Sequence, residues 1–334
     1  MNVKRCETCL MPSTAFNLAD NGCDYCNTQN VQNKSCLTLD DIQIYTKKST
    51  GKYDCLVPIS GGRDSSYVLY YVKKIMGLDP LSVNFNNGFV TGQALKNMQN
   101  CTDALGVDFI SYSFSNKFFH KLQSEFFKKT GEFCSPCNAA KKYVSKKIAL
   151  QNGIAIIIRG NSTSLDNNNV DKDFHSIFDN GIDNFENLVS EFADNKEKEH
   201  YNDFINMSEW GNDIKYVELP NIINWDFHKI NEILVKECGW NINPETFYHK
   251  DCQLLPLLYF LQYKKYGYSD QQLFLSNLIK YKNVSKDNIL HLFDNNEVTE
   301  IPKDLEFLLS KLNVNINDFR DVAKKHWNLF DQLG

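Results

Sequence analysis

One short segment constrains the fold of this 334-residue chain more than any other. Residues 58–66 read PISGGRDSS, and they join an apolar run at 53–59, which predicts a buried strand, to a helical pattern at 65–76. The two adjacent glycines let the backbone approach a ligand closely, and the free N–H groups of the turn and of the helix start point outward together. A strand, a glycine turn and a helix in this order predict an anion-binding loop.

The side chains of this segment strengthen the prediction. Ser60 and Ser65 offer hydroxyl donors to phosphate oxygens, and Arg63 offers a positive charge with a forked set of donors. Asp64 is placed to hold Mg²⁺ or to cap the helix that follows. The residues expected to bind a phosphate-bearing cofactor are Ser60, Gly61, Gly62, Arg63, Asp64, Ser65 and Ser66, and the catalytic residues expected among them are Ser60, Arg63 and Asp64.

Strand and helix patterns alternate along the part of the chain around this loop. Apolar strands are predicted at 53–59, 80–85, 108–113 and 154–159, with helices at 65–76, 93–105, 118–129 and 139–151. This alternation is typical of an α/β fold with a doubly wound parallel sheet. Further helices are predicted at 253–265, 270–278, 304–312 and 318–327. We therefore expect an α/β domain that contains this loop over residues 36–240 and a helical C-terminal region over 241–334.

Composition and charge exclude several classes of protein. Hydrophobic residues make up 42% of the chain, enough for a core, which excludes global disorder. No apolar run approaches the roughly 20 residues that span a bilayer, so we expect a cytoplasmic protein without a membrane partner. Residues 161–213 hold 13 acidic side chains against three lysines, and the whole chain has a net charge of −5, so a nucleic-acid partner is not expected. That acidic stretch is predicted to be a solvated insertion or a lid.

The N-terminal residues 1–35 carry two Cys-x2-Cys pairs. Cys6 and Cys9 form the first pair, Cys23 and Cys26 form the second, and 13 residues separate the pairs. This spacing is typical of a tetrahedral four-cysteine zinc site. A segment this short has no core of its own, so bound Zn²⁺ would supply its folding energy. We predict a structural zinc ribbon, with an iron–sulfur or redox site as the alternative.

The loop SGGRDS resembles the SGGxDS signature of the PP-loop ATP pyrophosphatases, which share the adenine nucleotide alpha hydrolase-like fold. Arg63 stands where those enzymes usually carry lysine. The resemblance implies transfer of AMP from ATP to a substrate carbonyl oxygen, with pyrophosphate leaving. It also implies that Asn86, after the second strand, lies near adenine. Gly160 and Asn161, followed by Asp166, resemble a loose G-x-N-x-x-D motif of the same enzymes.

Longer segments resemble the N-acetyl sugar amidotransferases of surface-polysaccharide and lipopolysaccharide biosynthesis. They are CETCLMPST with CDYC, then YDCLVPISGGRDSSYVLYYVKKIMGLDPLSVNFNNGF, ALKNMQN and CGWNINP. The similarity is densest over residues 1–110. It implies that ATP adenylates the acetamido oxygen of an N-acetylated sugar, and that ammonia from a separate glutaminase subunit then displaces AMP to give an acetamidino sugar.

A second cysteine set resembles a different branch of PP-loop enzymes, the tRNA 2-thiolation enzymes. Cys134 and Cys137 precede a basic pair, Lys141 and Lys142, and Cys252 lies far downstream. In that branch three such thiolates hold a 4Fe-4S cluster with one open iron. The alternatives for this set are an incidental buried pair, a redox or persulfide pair, and a second metal site that includes His249.

These resemblances order three functional hypotheses. Sugar amidotransfer ranks first, because the acidic stretch disfavours an RNA substrate. Thiolation of tRNA or a small molecule through a 4Fe-4S cluster ranks second. A non-catalytic nucleotide-binding scaffold ranks third. The sequence does not determine the oligomeric state, and a homo-oligomer is compatible with it.

Overall fold

The computed structural model describes residues 4–20, 22–27, 37–161, 182–209, 211, 213–241, 251–282, 284–295 and 300–327. The strands are β1 Leu18–Ala19, β2 Gly22–Cys23, β3 Cys55–Pro58, β4 Pro80–Phe85, β5 Phe109–Tyr112, β6 Ile156–Arg159 and β7 Lys215–Glu218. The helices of the first half are α1 Asp24–Asn27, α2 Leu39–Thr46, α3 Arg63–Tyr70, α4 Gly92–Leu105, α5 Asn116–Thr130 and α6 Ser135–Gln151. The later helices are α7 Ile182–Phe192, α8 Asn195–His200, α9 Asn202–Ile205, α10 Phe227–Cys238, α11 Leu255–Tyr266, α12 Asp270–Lys282, α13 Lys286–Asn295, α14 Leu305–Lys311 and α15 Ile316–Trp327.

Five parallel strands form the central sheet, in the order β5-β4-β3-β6-β7. Successive residues of β3 point to opposite faces, so Cys55 and Val57 join the core under α3, α4 and α10, while Leu56 joins the core under α5 and α6. Helices thus cover both faces, which explains why the strands are almost continuously apolar. The predicted doubly wound α/β fold is confirmed.

Chain connectivity reverses direction between β3 and β6. From β3 the chain runs outward to β4 and β5 on one side, and it returns to β6 and β7 on the other. In such sheets ligands bind in the crevice at the carboxyl ends of the strands where this reversal occurs. The loops after β3, β4 and β6 therefore meet at one edge of the sheet.

The described part of the acidic stretch packs against the rest of the domain. Phe185 and Val189 of α7 and Phe204 of α9 are fully buried beside α5 and α6. Acidic side chains of the same stretch pair with lysines of α5, including Glu197 with Lys121 at 2.7 Å. Glu191 and Glu197 are thus held by lysines of α5, while the stretch as a whole stays strongly acidic.

The helical C-terminal region carries the N-terminal cysteine module. Tyr25 of that module is buried against Tyr268 and Leu273, and its hydroxyl contacts Asn277 of α12. The Nζ atom of Lys280 donates to the backbone oxygen of Tyr25 at 2.9 Å. The predicted N-terminal cysteine cluster and helical C-terminal region are both confirmed, and they pack on each other. Within the described residues, no helix has the length and apolar character needed to cross a membrane.

Candidate active site and two cysteine clusters

The loop after β3 is held together by its own hydroxyl groups. The backbone N–H of Ser60 donates to Ser65 Oγ at 3.1 Å, and the two serine Oγ atoms lie 3.2 Å apart. Ser66 Oγ donates to the backbone oxygen of Gly62 at 2.8 Å, at the start of α3. These short-range bonds shape the predicted phosphate loop at the amino end of a helix, where anions are stabilised.

Gly61 is seated between the loop and two distant parts of the chain. Its φ of +79° is left-handed, and a Cβ atom there would collide with the backbone of Ala94 in α4. Its carbonyl oxygen accepts hydrogen bonds from Asn97 Nδ2 at 3.3 Å and from Trp240 Nε1 at 3.0 Å. The sequence analysis assigned no role to Asn97 or Trp240, because nothing local in the sequence links them to the loop.

Gly160 supports the loop from its other side. A Cβ atom at Gly160 would lie 2.9 Å from the carbonyl carbon of Asp64 and 3.1 Å from the nitrogen of Ser65. Only glycine therefore fits against the start of α3. Asn161 is exposed beside it, and Asp166 lies outside the described residues.

The side chain of Arg63 is directed at its neighbour Asp64. Arg63 Nε donates to Asp64 Oδ1 at 2.9 Å, and Arg63 Nη2 donates to Oδ2 at 3.2 Å. Trp225 Nε1 also donates to Asp64 Oδ1, at 3.2 Å. The guanidinium stacks 4.1 Å from the ring centre of Phe227, and the Arg63 side chain is only 8% exposed. In this structure Arg63 thus orients the Asp64 carboxylate, whereas the sequence analysis expected its fork to face phosphate.

The loop after β4 turns sharply at Asn86, Asn87 and Gly88. Asn86 Oδ1 accepts a hydrogen bond from the Gly88 N–H at 3.0 Å, and Gly88 has a left-handed φ of +82°. A Cβ atom at Gly88 would lie 2.6 Å from His120 Nε2. Asn86 therefore shapes this turn, while Asn87 points toward the second cysteine set.

Cys134, Cys137 and Cys252 meet at this same turn. Asn87 Nδ2 lies 3.3 Å from Cys137 Sγ and 3.8 Å from Cys252 Sγ. Cys134 and Cys137 are held at the start of α6, where the Glu132 carboxylate accepts hydrogen bonds from the N–H groups of Cys134 and Ser135. Three cysteines from two distant parts of the chain are thus neighbours, as the sequence analysis hypothesised.

Backbone pairing brings Cys252 to the site. Cys252 forms an antiparallel bridge with Val90, and the Gln253 N–H donates to Phe89 O at 2.8 Å. The Nζ atom of Lys311 donates to Gly88 O at 2.9 Å, which ties α14 to the same turn. The helical C-terminal region therefore contributes residues to the site, namely Cys252 and Lys311. His249 lies outside the described residues.

Burial controls the charge state of the three thiols. It raises the pKa of Cys137 to about 12, and it also raises the pKa values of Cys134 and Cys252. Burial by itself would lower the pKa of Lys141, but the Asp251 carboxylate and the neighbouring thiols raise it overall. Free thiols here are therefore neutral near pH 7, and a bound cationic group would be needed to hold them as thiolates.

The four N-terminal cysteines form a compact tetrahedral set. Their Sγ atoms all lie within 4.8 Å of one another, with Cys6–Cys26 at 3.7 Å, Cys9–Cys23 at 3.6 Å and Cys23–Cys26 at 3.8 Å. A tetrahedron with Zn–S bonds of about 2.3 Å has edges of about 3.8 Å. The set therefore fits one zinc ion, as its sequence spacing predicts.

The cysteine set at the sheet edge is less compact than this one. Across the described residues, only the N-terminal set brings three or more His, Cys, Asp or Glu donor atoms so close together. Cys134, Cys137 and Cys252 consequently do not form a single-ion site of that size. A multi-iron cluster is larger than one ion, so its ligand sulfurs stand further apart than those of a single-ion site. All ten cysteines that the structure describes are free thiols.

Comparison with protein-family models gives no match. An uncharacterized protein from Methanocaldococcus jannaschii is 30% identical over 110 residues, a match that spans 33% of this chain and 38% of that protein. The U34-tRNA thiolase NcsA from Methanococcus maripaludis, solved with its 4Fe-4S cluster, aligns over 85% of this chain and 76% of its own at 11% identity and a TM-score of 0.36.

A predicted tRNA methyltransferase subunit from Methanocaldococcus jannaschii aligns over 55% of this chain and 75% of its own, at 15% identity and a TM-score of 0.29.

Proposed function

We propose that this chain is an AMP-forming, ATP-dependent sulfurtransferase of the PP-loop type. In this proposal ATP binds the loop after β3, and AMP is transferred to a substrate carbonyl oxygen as pyrophosphate leaves. Hydrosulfide then displaces AMP, which carries the former carbonyl oxygen away, and loss of a proton leaves a C=S group. The observation that carries the proposal is the meeting of Cys134, Cys137 and Cys252 beside Asn87, at the same sheet edge as the phosphate loop. The acidic stretch at 161–213 favours a small-molecule substrate over tRNA.

The loop residues supply the adenylation chemistry. Ser60, Ser65 and the N–H groups at the start of α3 would bind the pyrophosphate oxygens. Asp64, whose carboxylate is oriented by Arg63 and Trp225, would orient Mg²⁺ through water or directly. Positioning and charge stabilisation provide most of the rate enhancement in reactions of this kind.

The cysteine site would hold the sulfur that is delivered to the substrate. Cys134, Cys137 and Cys252 would bind a 4Fe-4S cluster, and that cluster would supply an iron site for hydrosulfide. Lys141, next to the three thiols, would balance the negative charge of the thiolates and of the departing AMP. Cys137 is buried and Cys134 and Cys252 are half-buried, so this site would be partly shielded from water.

Sugar amidotransfer is the second candidate, and the sequence resemblance over residues 1–110 favours it. In that reaction an N-acetylated sugar would be adenylated by the same loop, and a separate glutaminase subunit would supply ammonia. The three cysteines at the sheet edge would then serve stability or metal binding, because no thiol attacks the substrate. The phosphate loop has the same role in both candidates.

Product mass separates the two candidates. Protein purified without oxygen is incubated with ATP and either a sulfide source or ammonium, using an N-acetylated nucleotide sugar and a tRNA pool as substrates. Exchange of oxygen for sulfur raises the product mass by about 16 units, whereas exchange for an imino group lowers it by about one. We expect the sulfur shift, and an amidino product would overturn the proposal in favour of the second candidate.

Two variants assign the steps of the proposed reaction. Asp64→Ala should lower AMP formation by roughly 10²–10³ without unfolding the protein. Cys252→Ser should eliminate sulfur transfer, while Cys55→Ser, which changes a buried cysteine of β3 away from the site, should retain it. Sulfur transfer by a folded Cys252→Ser protein would contradict the proposed role of the cysteine site.

A further inference from the structure

Two buried amide groups converge on the sulfur of Cys137. Asn87 Nδ2 lies 3.3 Å from it, and Gln123 Nε2, on α5, lies at the same distance. Asn87 is 8% exposed and Gln123 is fully buried. The pairs are 50 and 14 residues apart in sequence, so only the folded chain brings these amides to the sulfur. A buried Cys137 that served only packing would need neither amide.

The orientation of the Asn87 amide is fixed by the backbone. Its Oδ1 accepts a hydrogen bond from the Phe89 N–H at 2.9 Å, so its NH₂ group must face the sulfurs. His120 Nε2 lies 3.3 Å from the backbone oxygen of Asn87 and holds the same residue from the other side. A neutral thiol is a weak acceptor, whereas a thiolate bound to metal accepts strong, charge-assisted hydrogen bonds.

We propose that Asn87 and Gln123 are positioning residues that raise the reduction potential of a cluster bound to Cys134, Cys137 and Cys252. This inference rests on the proposed sulfurtransferase function. Hydrogen bonds to ligand sulfurs stabilise the more negative, reduced state of an iron–sulfur cluster, and they are one of the main means by which a protein tunes its potential. Loss of either donor should therefore lower the potential while the three thiolate ligands stay in place.

The test uses the full chain, reconstituted without oxygen with ferrous iron and sulfide. Asn87→Asp keeps the acceptor for the Phe89 N–H but replaces the NH₂ donor with oxygen. Gln123→Met keeps the length and the burial of the side chain without a donor and without adding charge. Gln262→Met is the matched control, because Gln262 is also buried, at 3% exposure, but its amide donates to Asp270 at 2.9 Å. Iron per chain and the midpoint potential, from spectroelectrochemical titration, are measured for each protein.

We expect all four proteins to bind the same amount of iron, with lower potentials in Asn87→Asp and Gln123→Met and an unchanged potential in Gln262→Met. A shift in the uncharged Gln123→Met variant rules out added charge as its cause, so this variant decides the test even if Asn87→Asp does not fold. Loaded variants with wild-type potentials would overturn the inference and leave the cluster assignment intact. Wild-type protein that binds no iron at these cysteines would overturn both the inference and the proposed sulfur chemistry.

Discussion

The indole nitrogen of Trp240 donates a hydrogen bond of 3.0 Å to the carbonyl oxygen of Gly61, across 179 residues of sequence. Asn97 donates to the same oxygen at 3.3 Å, and its own Oδ1 accepts from the Asn241 N–H at 2.9 Å. The segment after α10 and the helix α4 thus both contact the phosphate loop, although neither belongs to the unit β3-α3-β4 that contains the loop. We therefore expect the geometry of the loop, and with it the proposed ATP turnover, to depend on these contacts.

Trp240→Phe should lower AMP formation about five- to tenfold, because one hydrogen bond to a loop carbonyl is worth roughly 1–1.5 kcal/mol and Asn97 still donates to it. ATP-to-AMP turnover and ATP affinity are the measurements. Trp327→Phe is a matched control, since the Trp327 indole also donates to a glycine carbonyl, that of Gly131, at 2.9 Å and far from the loop. Equal losses in both variants would show that the effect is general destabilisation.

The strands and helices around the loop were largely predictable because their sequence signals are local. β4 is observed at Pro80–Phe85, as predicted, and the other three predicted strands differ by one or two residues at their ends. The edge strand β7, Lys215–Glu218, was not predicted, because it is short and begins and ends with charged residues. The helix α10 was not predicted either. The acidic stretch before it has no alternating pattern of strands and helices that would indicate where the next helix begins.

The candidate site was predictable only where its residues are adjacent in sequence or follow a recognisable sequence spacing. The N-terminal set of four cysteines follows from two Cys-x2-Cys pairs, and the loop after β3 follows from contiguous residues. The part played by Asn87 was not predictable, because its contact with Cys252 joins residues 165 apart and depends on the bridge between Val90 and Cys252. The orientation of the Arg63 side chain toward Asp64 was not predictable for the same reason, because its guanidinium packs on the ring of Phe227, which is distant in sequence.

The N-terminal module should contain about one zinc ion per chain, and Cys9→Ser should lose it. Structural zinc contributes on the order of 10 kcal/mol to the folding of small modules, far more than the few apolar contacts here supply. Metal analysis measures the zinc, and hydrogen exchange measures the ordering of residues 4–27. Cys55→Ser changes a buried cysteine elsewhere and should keep the metal. Full zinc content in Cys9→Ser would contradict the assignment.

Protein stability should fall as the pH drops through about 6.5, and His120 should contribute to that fall. Burial lowers the pKa of His120, and the nearby Lys311 ammonium lowers it further, so the folded chain binds this proton less readily than the unfolded chain. The unfolded state therefore gains protons first, and stability is lost between that pH and the lower folded pKa.

His120→Gln should make stability less sensitive to pH over this window, because glutamine can still donate to the Asn87 backbone oxygen but does not titrate. Urea midpoints at about pH 7.5 and pH 5.5 measure the difference. The pKa of His326 is lowered by burial as well, so the dependence should shrink without vanishing.

Gly160→Ala should abolish most AMP formation while changing overall stability little. A methyl group at position 160 would press against the Asp64 carbonyl carbon at 2.9 Å and the Ser65 nitrogen at 3.1 Å, both backbone atoms that have no freedom to rotate away. The start of α3 must then shift by a few tenths of an ångström, and displacements of that order in a catalytic loop cost roughly 10²-fold in rate. Gly92→Ala provides the control, because nothing lies within 4 Å of a Cβ atom at that first residue of α4. Turnover of ATP to AMP and the urea midpoint are measured for both. Wild-type turnover in a folded Gly160→Ala protein would show that the end of β6 does not support the phosphate loop, and it would remove Gly160 from the candidate site.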